Sequence, residues 1–208
     1  MPGTGLKTMV IDCGSGSAPQ LRKIFSEWSS VEGIACAEVG ERCPDADLIV
    51  LSGGPRFYGS DDTICGDYVD QFAFLDKETR PTLGICMGHQ GMGLRNGARL
   101  FTGRKRRVEE VIHLTEEANG HPLLGGIESG TRFAERHTEG ITLPEGFILL
   151  GYSRYYPVEI MAARDRPFYG TQFHPESSGE IGMRLLRNFF DLAARFRSGG
   201  RERSWKET

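Results

Sequence analysis

Two short segments hold residues whose types and spacing could do covalent chemistry. In Thr82-Leu83-Gly84-Ile85-Cys86-Met87-Gly88-His89-Gln90 an apolar run ends on a cysteine, with a glycine two positions to either side. In Phe173-His174-Pro175-Glu176 a histidine and a carboxylate stand two residues apart, 88 positions beyond that cysteine. A thiol nucleophile needs a base to take and return its proton, and the base needs an acidic group to fix its tautomer and steady its cation; Cys86, His174 and Glu176 can fill those roles. A cysteine at the start of a helix also feels the positive end of the helix dipole, which favours the thiolate. Gly84 and Gly88 would let the backbone bend tightly round the thiol. The plain alternatives are a buried structural cysteine and a surface histidine with a local carboxylate partner. A third segment, Gly53-Gly54-Pro55, could aim a backbone N–H at an oxyanion, although by itself it is also an ordinary Gly-Pro turn.

Positioning such groups takes a scaffold, and the apolar pattern supplies one. Residues 7–12 read as a first, fully buried strand. Pro19 opens a helix in which Leu21, Ile24, Phe25 and Trp28 share a face. Strands are expected over 33–39, 47–52 and 81–86, a helix over 61–77 carrying Tyr68, Phe72 and Leu75, and a short helix over 88–96. Strand alternating with helix is the pattern of a parallel sheet covered on both faces, with sites at the carboxyl ends of the strands. The second half reads as short strands, 99–104, 107–115, 131–137, 147–153, 158–163 and 168–173, added antiparallel to the same sheet. A final helix carries Ile181, Leu185, Phe189, Leu192 and Phe196. Residues 1–200 are expected to form a single domain and 201–208 a disordered polar tail.

Composition excludes several classes. The chain has 208 residues, 38% hydrophobic and 25% charged, with a net charge of −3. A nucleic-acid partner gains no support from that balance. No apolar run approaches the ~20 residues of a membrane helix, and residues 1–7 lack a signal-peptide core, so a cytoplasmic protein with no membrane partner is expected. The cysteines, Cys13, Cys36, Cys43, Cys65 and Cys86, are odd in number and form no C-x-x-C. Neither a disulfide framework nor a zinc site is indicated. All but Cys86 lack a glycine elbow and read as inert. No metal and no cofactor is expected.

The segments G-I-C-M-G-H-Q and F-H-P-E, in this order and with Gly53-Gly54-Pro55 ahead of them, resemble the class I (triad-type) glutamine amidotransferases over nearly the whole chain. The resemblance implies a flavodoxin-like α/β fold and hydrolysis of the L-glutamine side-chain amide through a γ-glutamyl thioester on Cys86. It implies His174 and Glu176 as the other triad members, Gly54 and Met87 as oxyanion donors, and Gln90 and His137 as contacts to glutamine. It gives His89 no required chemical role. Two positions depart from the family pattern: Arg56 stands where many members have glycine, and Arg136 where a serine usually precedes His137.

Ammonia released by such a chain would pass to a separate synthase subunit. Leu51–Pro55, Val158–Met161 and Phe168–His174 are most similar to the glutaminase part of GMP synthase, whereas Glu176-Ser177 and Leu185–Phe189 are more similar to subunits serving anthranilate and aminodeoxychorismate synthases. A γ-glutamyl peptidase-like hydrolase and a non-catalytic glutamine-binding module remain alternatives. Arg104-Lys105-Arg106-Arg107 could dock an acidic partner, but reads first as a solvated edge. His113 and His121 read as structural.

Overall fold

A computed structural model describes residues 5–41, 43–55, 58–60, 63–64 and 66–199. Arg56, Cys65 and the tail 201–208 lie outside the described residues. In chain order the elements are β1 (Lys7–Asp12), α1 (Ala18–Ser26), β2 (Ser30–Ala35), β3 (Leu48–Leu51), β4 (Gly59–Ser60), β5 (Thr63–Ile64), α2 (Gly66–Asp70), β6 (Thr82–Ile85), α3 (Met87–Arg95), β7 (Leu100–Leu114), β8 (Thr131–Ile141), β9 (Phe147–Tyr152), β10 (Ile160–Ala163), β11 (Phe168–Thr171) and α4 (Gly179–Arg197).

Nine strands form one sheet in the order β2-β1-β3-β6-β11-β10-β9-β7-β8, and β4 and β5 form a separate ribbon. The first five of that order run parallel. The remaining four attach antiparallel. This is the mixed, helix-flanked sheet the sequence implies.

The central strands β3, β6, β10 and β11 are buried at every position, as strands covered on both faces must be. Alternation splits their side chains between two apolar layers. Val10, Leu48 and Val50 point into one layer, closed by Leu21, Ile24 and Phe25 of α1 and by Leu185, Leu186, Phe189 and Phe190 of α4. Met9, Ile11, Ile49 and Leu51 point into the other, with Tyr58, Phe72, Phe74, Met87 and Met92. The period-3.6 stripes of α1 and α4 thus find their sheet face as expected.

Four expectations need correction. Strand β2 starts at Ser30 and stops at Ala35, because Cys36–Glu38 winds into a 3₁₀ turn. The segment 61–77 is not one helix: α2 is short and Ala73–Lys77 forms a 3₁₀ turn. Phe72, Phe74 and Leu75 are all buried, and a straight α-helix would put residues 72 and 74 about 200° apart. The segments 99–104 and 107–115 are one strand, β7, whose pairing with β8 slips between Thr102 and Arg106; the two-period pattern breaks at that bulge, not at a turn. Finally, β11 runs parallel to β6. Its hairpin with antiparallel β10 reverses the chain back into the direction of the core.

One row of residues across the centre decides how α3 sits. Leu51 pairs with Gly84 and Gly84 with Gly170 in the register of β3, β6 and β11. A Cβ at Gly84 would come 2.7 Å from the Gly88 carbonyl carbon and 2.8 Å from His89 N, and one at Gly88 would come 2.5 Å from Leu51 Cβ. At Gly170 a Cβ would meet the His89 ring. The first turn of α3 therefore lies directly on the sheet, in space that only missing side chains leave open. Replacing Gly84 or Gly170 by alanine is expected to cost ~1–3 kcal/mol of unfolding free energy, the usual cost of overpacking. Gly66→Ala, where nothing lies within 4 Å, should stay within ~0.5 kcal/mol of the parent. Urea unfolding of the three variants checks this.

Candidate active site

The helix pressed onto that row begins immediately after Cys86, so the chain must turn sharply there. Cys86 has φ 50° and ψ −105°, and among the described residues it is the one non-glycine with positive φ. Such strain survives only where neighbours over-determine it, and it recurs where a nucleophile is held up on a strand-to-helix turn. The neighbours are plain. Cys86 N donates to Thr171 O at 2.8 Å, Gln90 N to Cys86 O at 2.9 Å and Gly88 N to Ser52 O at 3.2 Å. Tyr58 Oη donates to Met87 O at 3.0 Å.

His174 follows β11, the strand beside β6, so base and thiol emerge from adjacent strands. Its backbone is clamped: His174 N donates to Ala134 O at 2.8 Å, Ser178 Oγ donates to His174 O at 2.7 Å, and Ala134 N donates to Ser178 Oγ at 2.9 Å. Pro175 opens the 3₁₀ turn Pro175–Ser177, which folds Glu176 back under the ring. His174 Nδ1 lies 2.7 Å from Glu176 Oε1, and the glutamate side chain is fully buried. Around Gly53 the parts converge. A Cβ built there would lie 2.9 Å from His174 Cε1, 3.5 Å from Cys86 Cβ and 3.7 Å from Ser15 Oγ. Burial opposes charge on the His174 ring, but hydrogen bonds and charge from Cys86 and Glu176 outweigh it and hold the pKa up at about 10.

Cys86 and His174 open onto a cleft of about 430 Å³ whose walls include Gly54, Met87, Gln90 and His137. All seven residues singled out from sequence therefore meet in one place, six on the cleft and Glu176 behind His174. Gln90 Nε2 donates to Glu139 O at 2.7 Å and to Gln172 Oε1 at 3.0 Å. His137 Nδ1 lies 3.0 Å from the same Glu139 carbonyl. Arg136 also lines the cleft, paired across the strands with Arg107.

Other positions gave no signal in sequence. The Glu139 carboxylate accepts from Tyr58 N and Gly59 N, both at 2.8 Å, and so fixes the segment next to Gly54. Ser52 Oγ accepts from Cys13 N at 2.9 Å and donates to Gly53 O at 2.8 Å. Except for Ser52 and Gly53, these partners are far apart in the chain, and no local pattern marks them. Gln172 was within reach, standing two residues before His174. His89 is fully buried, and burial, with His137 nearby, lowers its pKa to about 3, so it is a neutral packing group against Gly170. His121 accepts from Leu123 N at 3.2 Å and burial lowers its pKa to about 4. His113 packs on Tyr152. The basic run sits at the β7 bulge. Arg104, Lys105 and Arg107 are exposed, as read from sequence, whereas Arg106 turns inward to Glu110 and lies over the Tyr155 ring.

A family model, glutamine amidotransferase class-I, matches residues 9–193. A glutamine-hydrolyzing GMP synthase subunit of Methanosarcina barkeri is 34% identical over 177 residues, 84% of each chain. The HisH subunit of imidazole glycerol phosphate synthase from Halobacterium salinarum is 29% identical, covering 91% of this chain and 95% of that one. Among solved structures, a GMP synthase-type subunit from Thermoplasma acidophilum superposes with a TM-score of 0.82 at 26% identity, over 95% of this chain and 98% of that one. No helix among the described residues is long and apolar enough to cross a membrane.

The raised His174 pKa makes a statement about stability. The folded value lies above the ordinary 6.5, so the charged ring stabilises the fold fully below about pH 6.5, and that contribution is lost as pH rises towards 10. The gap in unfolding midpoint between the parent and His174→Gln is expected to narrow steadily across that window. A gap that stays constant would mean a neutral ring throughout.

Proposed function

The chain belongs to the class I glutamine amidotransferases, enzymes that hydrolyse glutamine, and from that premise we propose how its own residues do so and where the ammonia goes. Cys86 Sγ attacks the side-chain carbonyl of glutamine, with the charged His174 ring supplying the counter-charge that a thiolate needs. The backbone N–H groups of Gly54 and Met87 receive the oxyanion. Met87 is suited to this because it opens α3, where the first N–H groups have no intrahelical acceptor. His174 gives its proton to the departing ammonia, leaving a γ-glutamyl thioester, and then takes a proton from the water that releases glutamate. Glu176 holds the ring in the tautomer these steps need and steadies its cation. Gln90 and His137, anchored on the Glu139 carbonyl, form the wall against which glutamine lies.

The observation that carries this reading is the convergence on Gly53 of a strained cysteine and a histidine backed by a buried glutamate. The acceptor rests on relatives: the similarity to glutamine-hydrolyzing GMP synthase subunits favours a separate GMP synthase-type synthase as partner. The likeness to HisH keeps a second acceptor class in view.

Intact mass and peptide mapping after reaction with an electrophilic glutamine mimic should place one label on Cys86 and none on the other cysteines. Cys86→Ala should lose glutaminase activity entirely. Glu176→Gln should lower kcat by up to ~10⁴, by analogy with the serine triads. Ammonia transfer to an archaeal-type GMP synthase catalytic subunit should appear on mixing the two. Glutaminase without transfer would overturn the choice of acceptor and leave the chemistry standing.

A further inference from the structure

Beside the cysteine and histidine, the cleft wall holds a second cluster. Glu135 and His137 stand on β8 and Glu159 just ahead of β10; all three are at least nine-tenths buried. One ligand atom from each lies within 4.8 Å of the others. The pairing of donors and acceptors there does not close. His137 Nδ1 faces the Glu139 carbonyl at 3.0 Å, and a carbonyl can only accept, so Nδ1 carries a proton and Nε2 is the ring atom available to a ligand. That Nε2 has no hydrogen-bond partner among the described residues and lies 3.4 Å from Glu135 Oε2, itself an acceptor. The Glu135 and Glu159 carboxyl groups face each other in the same way: Glu135 has only the distant Arg106 Nε and Glu159 only Glu135 itself and the Ser153 hydroxyl against them. Arg106 does not resolve this: it is paired with Glu110, and its Nε stands 3.7 Å from Glu135 Oε2 without a hydrogen bond.

Buried acceptors facing one another are costly unless a cation lies between them. Glu110 is paired with the Arg106 guanidinium, which leaves Glu135 and Glu159 facing each other across the cluster. The unpartnered His137 Nε2, aimed into the acidic pair, separates this cluster from an ordinary group of acids. A ring whose Nδ1–H is fixed by a carbonyl is the arrangement in which histidine ligates metal through Nε2. We propose that Glu135, His137 and Glu159 form a binding site for a divalent transition-metal ion such as Zn²⁺ or Mn²⁺; one imidazole with two carboxylates suits these better than Mg²⁺ or Ca²⁺. The site breaks the expectation from sequence because its ligands share no compact motif. Its use follows from topology. Among the described residues β8 pairs only with β7 in the sheet order, and Glu159 leads into β10, so an ion would clip this hairpin, and with it the cleft wall, back to the sheet.

The test uses the full chain carrying Cys86→Ser, which removes the reactive thiol, stripped with a chelator. Titration with Zn²⁺ and Mn²⁺ by calorimetry should give one ion per chain and raise the unfolding midpoint. Glu159→Gln and His137→Gln should each weaken binding at least tenfold. Co²⁺ as a spectroscopic probe should show ligand-field bands without sulfur charge transfer. Without metal, Glu159→Gln should unfold no earlier than its parent, because an amide of the same shape relieves the crowding of two buried acids; this shows that lost binding is not lost folding. Absence of saturable binding, binding unaffected by both substitutions, or sulfur ligation of Co²⁺ would each overturn the proposal and leave the cluster bridged by protons.

Discussion

Close approach of one helix to one row of backbone underlies the rest of this molecule. The first turn of α3 rests on Leu51, Gly84 and Gly170, three registered positions on parallel strands. Contact at backbone distance leaves no room for a gradual turn from β6 into α3, and the chain meets the demand at Cys86 with a backbone conformation that ordinary residues avoid. The strain is local, but what supports it is distributed: a hydrogen bond donated to β11, one donated to Ser52 and one received from the Tyr58 hydroxyl hold the turn from different sides. A thiol raised on such a turn lines a cleft although the residue is buried.

Charge is managed by the same economy of space. Glu176 is taken fully out of water, a cost balanced by its short contact with the His174 ring. The ring in turn has Cys86 on its other side, so the cation is shared between two partners. The other buried histidines are treated differently: His89 and His121 are held uncharged by burial. In the Glu135–His137–Glu159 group two buried acids and an imidazole nitrogen are brought face to face.

How much could be read in advance differs by kind of information. The glycines around Cys86 and the His-x-Glu segment were legible because the physical demand, a tight turn or a fixed tautomer, is met by residues close in sequence. The buried strands and the amphipathic faces of α1 and α4 were legible from their periods. Gly170 was not, because the side chain it must avoid, that of His89, belongs to another element. Nor was the anchoring role of Glu139, whose partners at Tyr58 and Gly59 lie some eighty residues away. The segment 61–77 misled because Tyr68, Phe72 and Leu75 mimic a helical stripe, while Phe74 between them is buried too. The direction of β11 misled because a hairpin partner is visible locally and a parallel neighbour is not.

The hydrogen bond from Cys86 N to Thr171 O joins two strands that lie side by side while the chain between them runs through most of the antiparallel half. Separation between thiol and imidazole is thus set by the spacing of adjacent strands, about 4.8 Å, and not by the length of what connects them. Apart from the β8 residues Ala134 and Glu139, which hold His174, Gln90 and His137 in place, the intervening stretch can lengthen, shorten or change charge without pulling the reacting groups apart. A scaffold with that property can keep one chemistry fixed while the surface it offers to other subunits is rewritten.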